Sequence, residues 1–78
     1  MSKSDAMTLF AENARRIMSE KGITHQQLAD AIDCHRPSVT RALRGTYNPS
    51  LEFVEAVADA LDVNVRNLFD PIREKVAV

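Results

Sequence analysis

The chain has 78 residues, ten Lys and Arg against eleven Asp and Glu, a formal net charge of −1, and a 45% hydrophobic share with few aromatics. That length supports one small domain with a single modest core and excludes a second core. The lone cysteine, Cys34, excludes an internal disulfide, no apolar run approaches the roughly 20 residues of a membrane span, and no signal-peptide core opens the chain, so a soluble cytoplasmic protein is expected.

Phe10, Ala14, Ile17 and Met18 recur at i, i+4, i+7 and i+8, the stripe of an amphipathic helix. The helix is predicted to start between Ser4 and Thr8 and to stop at Gly22, so residues 1–8 are an N-terminal arm or the helix start. Arg15 and Arg16 fall on its surface. Thr24 begins a second helix with a capping box, its hydroxyl accepting from the Gln27 N–H while the Gln27 side chain reaches back to the Thr24 N–H. Leu28, Ala31 and Ile32 form its inward face, and the small Ala29 lets another helix cross closely. Asp33 stands where the chain must turn, and Asp tolerates left-handed backbone better than most residues.

Pro37 disfavours helical geometry at Arg36 and suits a first helical position itself. A third helix therefore starts at 36–37 and runs to Arg44, with Gly45 as its stop. Val39, Ala42 and Leu43 point inward, leaving Ser38, Thr40, Arg41 and Arg44 outside. Ser50 or Asn48 caps a fourth helix whose buried stripe is Leu51, Val54, Val57, Ala58 and Leu61. Asn64 caps a final short helix through Phe69, ended by Asp70-Pro71. The folded domain spans 9–70. Residues 71–78 form a short tail, either without regular structure or as a strand or arm at a subunit contact. The fold class is all-α with five helices.

Charge is unevenly spread. Residues 35–48 carry Arg36, Arg41 and Arg44 and no acid, whereas residues 51–62 carry Glu52, Glu55, Asp59 and Asp62 and no base. A helix with arginines and no carboxylates suits an anionic groove, and DNA is the expected partner. Phosphate attraction supplies much of DNA affinity, so a nearly neutral protomer depends on pairing, and a homodimer or higher homo-oligomer is expected. Phe53, Val65 and Phe69 are candidate contacts between copies or ordinary core residues. His25, His35 and Cys34 are too few and wrongly spaced for a structural zinc site, so no metal or other cofactor is expected. No nucleophile–base pair, carboxylate constellation or Gly-rich phosphate loop is present, and no catalysis is expected.

The residues Gln27-Leu28-Ala29, Ile32, Ser38-Val39 and Gly45 make this segment resemble the helix-turn-helix of the phage-repressor/Cro-type family of bacterial and phage regulators, the XRE family. The resemblance extends to Lys21-Gly22-Ile23-Thr24 before the second helix, Asn48-Pro49-Ser50-Leu51-Glu52 before the fourth, and Leu61-Asp62-Val63 through Leu68-Phe69 at the end. It implies a compact five-helix bundle of the lambda-repressor-like DNA-binding type, in which the start of the third helix enters the major groove. The positions matching base-reading residues are His35, Arg36, Pro37 and Arg41. Arg36 and Arg41 can each donate bidentately to guanine O6 and N7, or else meet phosphate or solvent. Proline departs from the polar reader many relatives carry, and Pro37 offers only apolar contact or a helix start. Thr24, His25 and Gln26 match positions on the sugar-phosphate chain. Arg44, Thr46, Tyr47 and Asn48 match a backbone-holding loop, although Tyr47 can equally cover the core edge. Ser38 and Thr40 can bond phosphate or a base edge.

Many relatives bury an Arg–Glu pair where this chain has Met18 and Leu43, so these two are expected to pack together. The resemblance implies a small phage or prophage-type repressor that occupies a palindromic double-stranded DNA operator as a dimer, its activity set by concentration or by a capturing partner such as an antirepressor. The alternatives are an antitoxin, binding a toxin and its own promoter, and an interaction module that has lost DNA binding.

Overall fold

The computed structural model describes residues 3–45 and 48–70. Four α-helices run in order, α1 (Lys3–Lys21), α2 (His25–Ala31), α3 (Arg36–Leu43) and α4 (Leu51–Leu61), followed by a closing 3-10 turn over Val65–Phe69. The architecture is all-helical among the described residues. The predicted fifth α-helix is this 3-10 turn instead. Five residues between Asn64 and Asp70 leave little length for i→i+4 bonding, and the tighter i→i+3 pattern serves short connectors. Its start is fixed by the Asn64 N–H donating to Asn67 Oδ1 at 3.1 Å. Helix α1 starts at Lys3, one residue ahead of the predicted window.

Local chemistry sets the helix ends. The Thr24 capping box is formed, with Gln27 N–H to Thr24 Oγ1 at 3.0 Å and Thr24 N–H to Gln27 Oε1 at 2.9 Å. Ser50, not Asn48, caps α4, its Oγ accepting the Phe53 N–H at 3.1 Å. Three helices finish in the same way. The Ile23 N–H returns to the Met18 carbonyl, Cys34 to Ala29 and Val63 to Ala58, at 2.8–2.9 Å, each across one left-handed residue. Those residues are Gly22 (φ 70°), Asp33 (φ 55°) and Asp62 (φ 59°), and the paired bonds are those of the Schellman motif. Gly45 (φ 76°) stops α3.

The core gathers Phe10, Ala14, Ile17 and Met18 of α1, Leu28 and Ala29 of α2, Val39, Ala42 and Leu43 of α3, Val54, Val57, Ala58 and Leu61 of α4, and Leu68. Met18 and Leu43 are both buried in this one cluster. Two predicted core residues lie outside it. Ala31 is exposed at the end of α2, and Leu51 is 67% exposed at the start of α4. Both continue a helical stripe past the point where a neighbouring helix covers it.

At one end, α1 packs against the closing turn. Phe10 meets Phe53 edge-to-face with centroids 6.4 Å apart and Phe69 at 6.1 Å. Phe53, Val65 and Phe69, the candidate contacts between copies, are half-buried and packed against the core. Asn13, buried at 1% exposure, donates through Nδ2 to the carbonyls of Leu68 (3.1 Å) and Asp70 (2.9 Å), and its Oδ1 accepts from Arg16 at 3.3 Å. At the other end, α2 and α3 pack together across the turn at Asp33. The expected tail, 71–78, lies outside the described residues.

Candidate nucleic-acid interface

Helix α3 is anchored by Val39, Ala42 and Leu43, all buried, and this fixes what its other side presents. Arg36, Arg41 and Arg44 are exposed, and with Pro37 and Thr40 they line one shallow surface depression. Arg36 and Arg44 stand one turn either side of Thr40, the neighbouring spacing on a helix. No acidic residue occurs on α3, so its outer face is cationic along its whole length. The four carboxylates of 51–62 are exposed on a different helix, α4 and its cap.

His35 occupies the N-cap position of α3 in extended backbone, and its exposed ring makes no capping bond. Pro37 follows in the first turn, as its fixed φ suits. Ser38 and Thr40 are half-buried rather than fully outward. Thr40 reaches across to α2, with its Oγ1 3.2 Å from His25 Nδ1.

On α2, Thr24 Oγ1 already accepts the Gln27 N–H, which leaves its own O–H to donate outward. Gln26 is exposed and donates through Nε2 to Asp30 Oδ1 at 2.9 Å. His25 is half-buried against α3. The structure therefore brings Thr24, His25 and Gln26 to the start of α2, and His35, Arg36, Pro37, Thr40, Arg41 and Arg44 to the outer side of α3. Asn48 is exposed beyond α3, while Thr46 and Tyr47 lie outside the described residues. Cys34 is half-buried in the turn, and the described residues hold no cluster of three or more His, Cys, Asp or Glu suited to a metal. None of the described helices is long and apolar enough to cross a membrane.

The residue that sequence reasoning missed is Asn13. Its signal was present: it stands three residues after Phe10 and four before Ile17, a polar group inside an apolar stripe. The His25–Thr40 bond was also missed, because the two residues are 15 positions apart and only the α2–α3 crossing joins them.

A family model described as a helix-turn-helix domain matches residues 9–70. The chain is 35% identical over 63 residues to control protein C.BamHI of Bacillus amyloliquefaciens, covering 80% of this chain and 78% of that one. Among solved structures, the restriction-modification controller protein C.AhdI from Aeromonas hydrophila matches with a TM-score of 0.77 at 32% identity, covering 81% of this chain and 96% of that one. The hypothetical transcription factor NHTF from Neisseria matches with a TM-score of 0.82 at 28% identity, covering 91% and 82%.

Proposed function

The chain belongs to the helix-turn-helix family of XRE-type transcriptional regulators, and on that premise we propose that it is a sequence-specific DNA-binding protein that occupies a palindromic operator as a homodimer. The observation that carries this reading is the outer side of α3, where three arginines and no acid line one depression on a helix locked in place by its buried face. In a two-fold dimer the two α3 helices would lie about 34 Å apart, one turn of the duplex.

Base reading falls to His35, Arg36, Pro37 and Arg41. Thr24, His25, Gln26, Ser38, Arg44 and Asn48 hold the sugar-phosphate chain, and Thr40 lies between the two groups. Two similar proteins are named as controllers, one of them of a restriction-modification system. The regulated genes are accordingly proposed to be those of such a system, a different role from the phage repressor implied by resemblance alone. Regulation follows from occupancy, with the protein's own concentration as the controlling variable.

Selection of bound sequences from a random DNA pool at about 0.1–0.15 M salt tests this reading, with wild type and Arg41→Ala in parallel. The expected outcome is a short palindrome for wild type and loss of preference at one base pair per half-site for the variant, on the order of 1–3 kcal/mol of discrimination. Binding without enrichment would remove the assignment of α3 as the reading helix, and enrichment unchanged by Arg41→Ala would remove Arg41 from its readers.

A further inference from the structure

With a neutral imidazole, the bond between His25 Nδ1 and Thr40 Oγ1, at 3.2 Å, can be made in two ways. The imidazole N–H can donate to the hydroxyl oxygen, or the hydroxyl can donate to a bare Nδ1. The two differ in what each end offers to a third group. In the first, Nε2 is an acceptor and the Thr40 hydrogen is left to donate outward. In the second, Nε2 carries the hydrogen and donates, and Thr40 keeps only lone pairs to present.

A phosphate only accepts, so at the phosphate-facing end of the pair it bonds the second arrangement and is repelled by the first. Thr40 stands in the arginine-lined depression between Arg36 and Arg44, facing the same side of α3 as Pro37 and Arg41. We propose that the His25–Thr40 pair is a specificity relay: a DNA phosphate accepting from His25 Nε2 sets the Thr40 hydroxyl as an acceptor, so that Thr40 reads an exocyclic amine of adenine or cytosine in the major groove. Adenine N6 and cytosine N4 donate there, whereas guanine O6 and thymine O4 accept and would face a lone pair. His25 is then a positioning residue, selecting a base it does not touch. This inference rests on the proposed docking of α2 and α3 on DNA and adds the base class at one position.

The test compares base preferences of wild type, Thr40→Ser, Thr40→Val and His25→Lys, each selected from the random pool at pH 8, where an ordinary imidazole is neutral. Lysine keeps a phosphate donor but has no acceptor for the hydroxyl, so the relay is cut while the phosphate contact is kept. The expected result is one column enriched about fivefold for adenine or cytosine in wild type and Thr40→Ser, a net gain typical of one neutral hydrogen bond. That preference should vanish in Thr40→Val and His25→Lys, with the other columns unchanged. Thermal melting of each variant separates this from a folding defect. Three outcomes would overturn the relay while leaving the operator reading intact: an unaltered column in His25→Lys, a column favouring guanine or thymine, or no column altered by Thr40→Val. No enrichment by wild type would overturn both.

Discussion

The two ends of this molecule are held by different means. Where α1 meets the closing turn, three aromatic rings and a buried asparagine join the first helix to the last element. Where α2 meets α3, Leu28 and Ala29 share the core with Val39, Ala42 and Leu43, and around them stand polar features: the Thr24 capping box, a left-handed Asp33 and one side-chain bond between His25 and Thr40. The first end adds aromatic burial to the shared core, and apolar burial is the dominant favourable contribution to folding. The second spends its surface on arginines, hydroxyls and a histidine. Stability and recognition are thus placed apart, and substitutions at one end should leave the other largely unmoved.

The largest expected effect is Phe10→Ala, which removes the ring common to both aromatic pairs. It should lower unfolding free energy by about 3–5 kcal/mol in a urea titration. DNA preference should be unchanged in whatever fraction stays folded. A variant that kept its stability, or folded well but selected other sequences, would break the separation. Asn13→Ala comes next, at about 1–3 kcal/mol, because the Leu68 and Asp70 carbonyls lose their donor. Urea titration again provides the measurement. Thr24→Ala should cost about 1 kcal/mol by removing the α2 cap, and it alone of the stability variants should also weaken DNA binding.

Arg44→Ala isolates the other end. Melting temperature should hold, while affinity falls by a similar factor for every sequence, and the slope of log K against log salt should shrink by about one unit in a fluorescence titration. The smallest effect is Asp62→Gly, which relieves a non-glycine left-handed residue at the end of α4. A gain of about 0.5 kcal/mol is expected, read as a small rise in melting temperature with DNA affinity unaltered.

The features legible in the sequence were those decided within a few residues. Thr24 with Gln27, Gly22, Asp33, Pro37 and Gly45 each act on the backbone beside them, and each helix boundary near them was foreseen to within a few residues. The inward set of α3, and with it the arginines outside, followed from the same short-range periodicity. Leu51 and Ala31 were misplaced because periodicity describes a helix and not the extent of its neighbour. Asn13 escaped because the carbonyls it serves belong to residues 55 and 57 positions away. The same distance in kind hid the His25–Thr40 bond, which joins residues 15 positions apart through the α2–α3 crossing.

The Asn13 bridge also bears on how the protein comes into being on a ribosome. Its donor belongs to the first described helix, and its acceptors to nearly the last described residues. Until Leu68 and Asp70 have left the exit tunnel, the amide has no partner and Phe10 lacks one of its two neighbouring rings. A partly synthesised chain therefore carries the arginine helix without the closure that steadies it. Completion of the native core, and the competence that depends on it, waits until the closing turn is free to fold back onto α1.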